Sequence, residues 1–150
     1  MRFLFVLTLG CLLYSTPNFA QHLDEKDWST LSDLASSGNM SSFNSHLKQR
    51  NFLEVQEPNE KYVFYQWNQE SPYFYGVRIN KKTKQVAYLT NDNNYVLKLL
   101  SKFLTKYTLS KSDKKDNATT HVFQAPNKVL AIKLDTKDKA GTHLLIASNN

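Results

Sequence analysis

Cysteine is nearly absent from this chain. Cys11 is the only one among 150 residues and lies inside the first apolar run, so no internal disulfide can form and stability has to come from a buried core. Glycine and proline are scarce too, at four each, which excludes collagen-like and Pro/Gly-rich low-complexity chains. The glycine shortage also removes phosphate-cradling loops and the Gly-x-Ser-x-Gly turn that exposes a nucleophilic serine. His22, His46, His121 and His143 are scattered, and no His-Glu-x-x-His helix is present. His121 and His143 fall on strands that a meander sets two apart, roughly 9–10 Å, too far to share one metal. Glu54, Glu57, Glu60 and Glu70 flank strands and loops as solvated charge, and no pair stands out for glycoside hydrolysis. The sequence nominates no catalytic residue, no metal and no cofactor, and the chain reads as a non-enzyme.

Long apolar runs are missing after residue 20, where nothing approaches the roughly 20 residues that span a bilayer. The first twenty residues read as a secretory signal peptide. Arg2 gives a positive start, Phe3 to Tyr14 form the apolar core, Ser15 to Asn18 break it, and Ala20 supplies the small residue at the cut. Leu12, Leu13 and Tyr14 carry the apolar core past Cys11, so a lipid anchor on that thiol is not expected. The expected mature chain, 21–150, is secreted or periplasmic and cysteine-free. It has a net charge of +5, because only Arg2 is lost from the +6 of the whole chain.

What remains is a folded composition, with 41% hydrophobic and 21% charged residues. Asp24 to Ser37 carries Leu23, Trp28, Leu31, Leu34 and Ala35 at helical spacing, with acids at its start and Gly38 to end it. Ser41 is placed to cap a second short helix bearing Phe43 and Leu47. After Arg50 the period shortens. Residues 51–56, 62–68, 73–80 and 85–90 read as strands, with Asn80 to Lys84 as a hairpin loop. Asp92 or Asn93 can cap an amphipathic helix with Val96, Leu99, Leu100, Phe103, Leu104 and Tyr107 on one side and Lys98, Lys102 and Lys106 on another. Then come a weak strand at 108–112, a polar loop through 111–120, and strands at 121–125, 129–135 and 142–148.

Helix followed by about four strands thus occurs twice, which predicts an α+β domain over 21–150 built from two pseudo-repeated halves, about 21–90 and 91–150. Its strands should form one antiparallel sheet, curved or split, with the helices on one face. This two-part order resembles the bacterial β-lactamase-inhibitor fold, in which a sheet made of tandem repeats clasps an enzyme. The resemblance covers topology and no motif. It implies a protein-binding sheet and transfers no residue roles.

Aromatic placement is uneven. Seven of the fourteen residues from Tyr62 to Tyr75 are aromatic, whereas Phe123 is the only ring from Thr108 to Asn150. Alternation puts Tyr62 and Phe64 on one side of their strand and Val63, Tyr65 and Trp67 on the other. In the next strand Tyr73, Tyr75, Val77 and Ile79 oppose Phe74, Gly76 and Arg78. Only one side can face the helices, so the other is expected to show rings to solvent. Tyr62, Phe64, Tyr65, Trp67, Tyr73, Tyr75 and Arg78 are therefore the candidate binding residues.

The basic excess is modest, and export argues against nucleic acid as a partner. Asn39-Met40-Ser41 and Asn117-Ala118-Thr119 match the glycosylation sequon. The expectation is an exported binding protein that holds a protein partner, in an inhibitor or immunity-type role. The alternative is a glycan- or small-ligand-binding module in which the same rings stack on sugars.

Overall fold

The computed structural model describes residues 23–56, 59–135 and 142–149. The expected signal peptide, Cys11 and His22 lie outside those residues. Two helices come first, α1 (Glu25–Ser36) and α2 (Met40–Gln49). Four strands follow: β1 (Phe52–Val55), β2 (Tyr62–Trp67), β3 (Tyr75–Asn80) and β4 (Val86–Thr90). Then come α3 (Asn93–Lys106) and β5 (Thr108–Lys115), β6 (Ala118–Ala125), β7 (Lys128–Asp135) and β8 (His143–Asn149).

Local chemistry explains the helix ends. The Asp24 carboxylate accepts from the Asp27 amide at 2.8 Å, and the Asp27 carboxylate accepts from the Asp24 amide at 3.0 Å, a reciprocal cap that starts α1. The Asp24 carboxyl is held below its ordinary range, chiefly by that Asp27 amide. At the other end the Gly38 amide reaches Ala35 O (3.1 Å) and the Asn39 amide reaches Leu34 O (3.0 Å), with Gly38 at φ +74°. This is a Schellman closure. Asn39, rather than Ser41, caps α2, its side chain accepting from the Ser42 amide at 3.1 Å. The Schellman turn delivers the chain straight into the next helix and leaves no room for a later cap. Asp92 caps α3 through the Tyr95 amide at 3.0 Å.

All eight strands form one open antiparallel sheet in the order β1-β2-β3-β4-β8-β7-β6-β5. It is neither split nor closed. Each run of four strands is a meander, and the two meanders meet where β4 pairs with β8. Helix α3 carries the chain from the centre of the sheet, at β4, to the far edge, at β5.

The segment read as a polar loop, 111–120, is instead the end of β5, a two-residue turn at Asp116–Asn117, and the start of β6. All eight β5 residues are exposed, so no apolar alternation marks the strand, and pairing to β6 alone defines it. Its lysines, Lys111, Lys114 and Lys115, discourage further pairing at that edge, and the opposite edge strand β1 is only four residues long.

The three helices lie on the same face. Trp28 of α1 meets Tyr88 edge-on at 5.7 Å, Phe43 of α2 meets Tyr65 at 5.7 Å, and Phe103 of α3 meets Phe123 at 5.5 Å. Beneath them Phe52, Val77, Ile79, Leu130, Ile132 and Leu145 complete a core of buried residues. Ring pairs of this kind add about 1 kcal/mol each beyond area burial. Only Val96 and Phe103 of α3 are fully buried, and Leu104, expected on its inner side, is exposed together with Leu97.

Candidate functional site: the uncovered sheet face

The alternation expected for β2 and β3 places the aromatic cluster on both faces of the sheet. Tyr65, Trp67 and Tyr75 point to the helices and are buried at 4%, 6% and 2% exposure. The Tyr65 hydroxyl donates to Asn44 Oδ1 at 2.7 Å, Tyr75 donates to Asp92 Oδ2 at 3.1 Å, and Trp67 stands edge-on to Tyr75 at 5.8 Å. Burial pushes both phenols up to about 12, aided by the charge of Glu54 at Tyr65 and by Asp92 at Tyr75. As candidate binding residues these three are corrected: α2 needs a ring to pack on, and Phe43 takes Tyr65. Tyr73 precedes β3, is 41% exposed, and rests edge-on against Tyr75 at the sheet end.

Tyr62, Phe64 and Arg78 lie on the other face, each half-buried. The Arg78 guanidinium carbon sits 4.4 Å from the centre of the Tyr62 ring, and the Tyr62 and Phe64 rings are 6.0 Å apart. Arg78 is paired in register with Phe64 on one side and Ala87 on the other. Phe74 belongs here too. A methyl group at Gly76 would come within 2.7 Å of the Phe74 ring, so glycine leaves the hollow into which that ring folds.

The face extends well beyond the ring-rich segment. Register carries it from Leu53 and Val55 on β1, through Phe64 and Leu89, to Leu144 and Ile146 on β8 and Val129 and Ala131 on β7. None of the described helices packs on this side. The sequence reading counts Leu144 and Ile146 with the core and does not single out Leu89, whereas register sets all three on the side away from the helices. A legible sign existed: Leu144 to Ala147 is apolar at every position, as in a strand covered on both faces.

The far end is polar. Asp113, Lys115, Asp116, Lys133 and Asp135 line an open basin of about 690 Å³ with charges of both signs. Among the described residues no three His, Cys, Asp or Glu side chains converge to hold a metal ion. His121 and His143 sit on β6 and β8, separated by β7, and do not meet. His143 is buried at the edge of the core and bonds Asn93 Oδ1, while its Nδ1 has no partner among the described residues.

No family model, curated protein or solved structure matches the chain.

Proposed function

We propose that this chain is an exported, non-enzymatic binding protein whose uncovered sheet face docks a protein partner. The observation that carries the reading is the apolar lining of that face: Val55 and Phe64 on one side of Gly76 and Arg78, and Leu89, Leu144 and Ile146 on the other, all opposite the helices. Apolar area of this kind on a sheet side that none of the described helices covers is a docking surface or an aggregation hazard, and the lysine-bearing edge at β5 is what a protein kept from aggregating needs. The binding residues are Tyr62, Phe64 and Arg78, joined by Leu89, Leu144 and Ile146, with Phe74 at the margin. Export rests on the signal-peptide layout of residues 1–20.

The two halves are read as pseudo-repeats. Each is a helix-preceded four-strand meander whose last strand lies innermost, at the β4–β8 seam, although the first half has two helices and the second has one. A tandem origin gives a broad sheet with one side free. An inhibitor or immunity-type role suits such a platform. A glycan site needs exposed rings, and the burial of Tyr65, Trp67 and Tyr75 weakens that alternative.

The test is affinity capture with the mature 21–150 chain from its native secretome or envelope, comparing wild type with a Leu89→Lys/Ile146→Lys double variant. A protein retained by wild type and lost by the double variant supports the reading, with folding checked by circular dichroism. Equal retention by both removes the sheet face from the function. A Leu97→Lys/Leu104→Lys variant on the opposite side of the molecule serves as the control and should retain the partner.

A further inference from the structure

Arg78 is the one formally charged residue whose side chain lies on the uncovered side of β1, β2, β3, β4 and β8. Its guanidinium carbon lies 4.4 Å from the centre of the Tyr62 ring, within cation–π range, and an arginine held against a ring still has a fork of N–H donors to offer a carboxylate. Among the described residues no carboxylate pairs with it. Its neighbours in register are Phe64 and Ala87.

We infer that the partner docked on this face brings an Asp or Glu side chain, set among apolar neighbours, to the edge of the Arg78 guanidinium. The inference rests on the docking role proposed above. An apolar partner that covered Phe64 and Leu89 would strip water from Arg78 as well. A stripped, unpaired charge is strongly unfavourable, whereas a bidentate carboxylate matches the fork of the guanidinium.

A second observation gives the same sign. Lys61 lies 5.3 Å from the same Tyr62 ring, and Lys61, Lys81 and Lys82 line a hollow of about 380 Å³ at that end, with Glu60 as the only acid in it. The potential there favours an acidic approach. The occupant is a protein surface rather than a sulfated polysaccharide, because the apolar residues flanking Arg78 require apolar groups on the partner beside its charge.

The test uses a random peptide library displayed on phage and selected against the folded 21–150 chain. Enriched peptides are expected to carry Asp or Glu beside aromatic or aliphatic residues. A synthetic copy with Asp→Asn or Glu→Gln should bind about tenfold more weakly, and R78Q should weaken the parent peptide by a similar factor. Combining the two changes should weaken binding little further, and R78K should rescue only in part. Circular dichroism and thermal melting of R78Q keep a folding defect from passing as a binding defect.

A selection that returns no acidic binder overturns the inference, as do peptides that bind R78Q and wild type equally. Retention on a sulfated polysaccharide in place of peptide binding overturns it as well. Neutral peptides that are lost with Leu89→Lys/Ile146→Lys sink the acidic partner and leave the docking face standing. Peptides indifferent to that double variant sink both.

Discussion

Arg50, which closes α2, donates a hydrogen bond of 2.9 Å to Asp27 of α1, whose side chain is only 3% exposed. His46 reaches the same Asp27 oxygen at 2.9 Å, and the other oxygen caps the helix. One buried carboxylate therefore ties the two leading helices to each other and to the start of α1. Asp27→Ala should cost roughly 2–3 kcal/mol in urea unfolding, by losing the cap and stranding the partners. Arg50→Met should cost less, about 1 kcal/mol or below, because water screens the exposed guanidinium. An Asp27→Ala loss under 0.5 kcal/mol, on the order of an ordinary surface change, would refute this hub.

The two faces of β2 should separate stability from recognition. Trp67→Ala removes a buried ring packed on Tyr75 and is expected to cost roughly 3–5 kcal/mol in chemical denaturation. Phe64→Ala, from the uncovered face, should cost about 1 kcal/mol while weakening partner or peptide binding. A Phe64→Ala variant that unfolds as readily as Trp67→Ala would show that this face is an interior.

His143 should make the protein sensitive to mild acid. Burial, the larger influence, lowers its imidazole pKa, and the charge of Asp135 pulls the other way. The folded state thus binds a proton less readily than the unfolded chain. The contribution of neutral His143 is fully present above the unfolded value, about 6.5, and is lost as pH falls through the lower folded value. Thermal melts from pH 7.5 down to 5 should show a falling midpoint, and His143→Asn should flatten that slope. An unchanged slope in the variant assigns the acid sensitivity elsewhere.

Phe74 and Gly76 should act as a coupled pair. Gly76 has an ordinary φ, so alanine is strained there only by contact with the Phe74 ring. Gly76→Ala should lose about 1 kcal/mol by displacing the ring, and on a Phe74→Ala background the same change should be neutral or favourable. Additive effects in the double-mutant cycle would mean that ring and glycine are independent.

Much of the fold could be read from periodicity, because the helices and inner strands obey it. Trp28, Leu31 and Ala35 announce α1, and Val77 and Ile79 alternate with Gly76 and Arg78 as a strand with one buried side must. Strand β5 was missed because an edge strand with no buried residue carries no apolar rhythm to detect. The candidate site was half legible for a related reason. Alternation separated Tyr62 and Phe64 from Tyr65 and Trp67, but only the position of α2 decides which pair is covered. Leu89, Leu144 and Ile146 join the same face through the β4–β8 pairing, which links residues more than fifty positions apart and shows locally only in the unbroken apolar run from Leu144 to Ala147.

That seam also sets the order of assembly. Because β8 comes last among the strands and yet sits between β4 and β7, the two meanders remain separate half-sheets until it is laid in. Synthesis must run through residue 149 before either half gains its inner neighbour, and such late, distant pairing is slow.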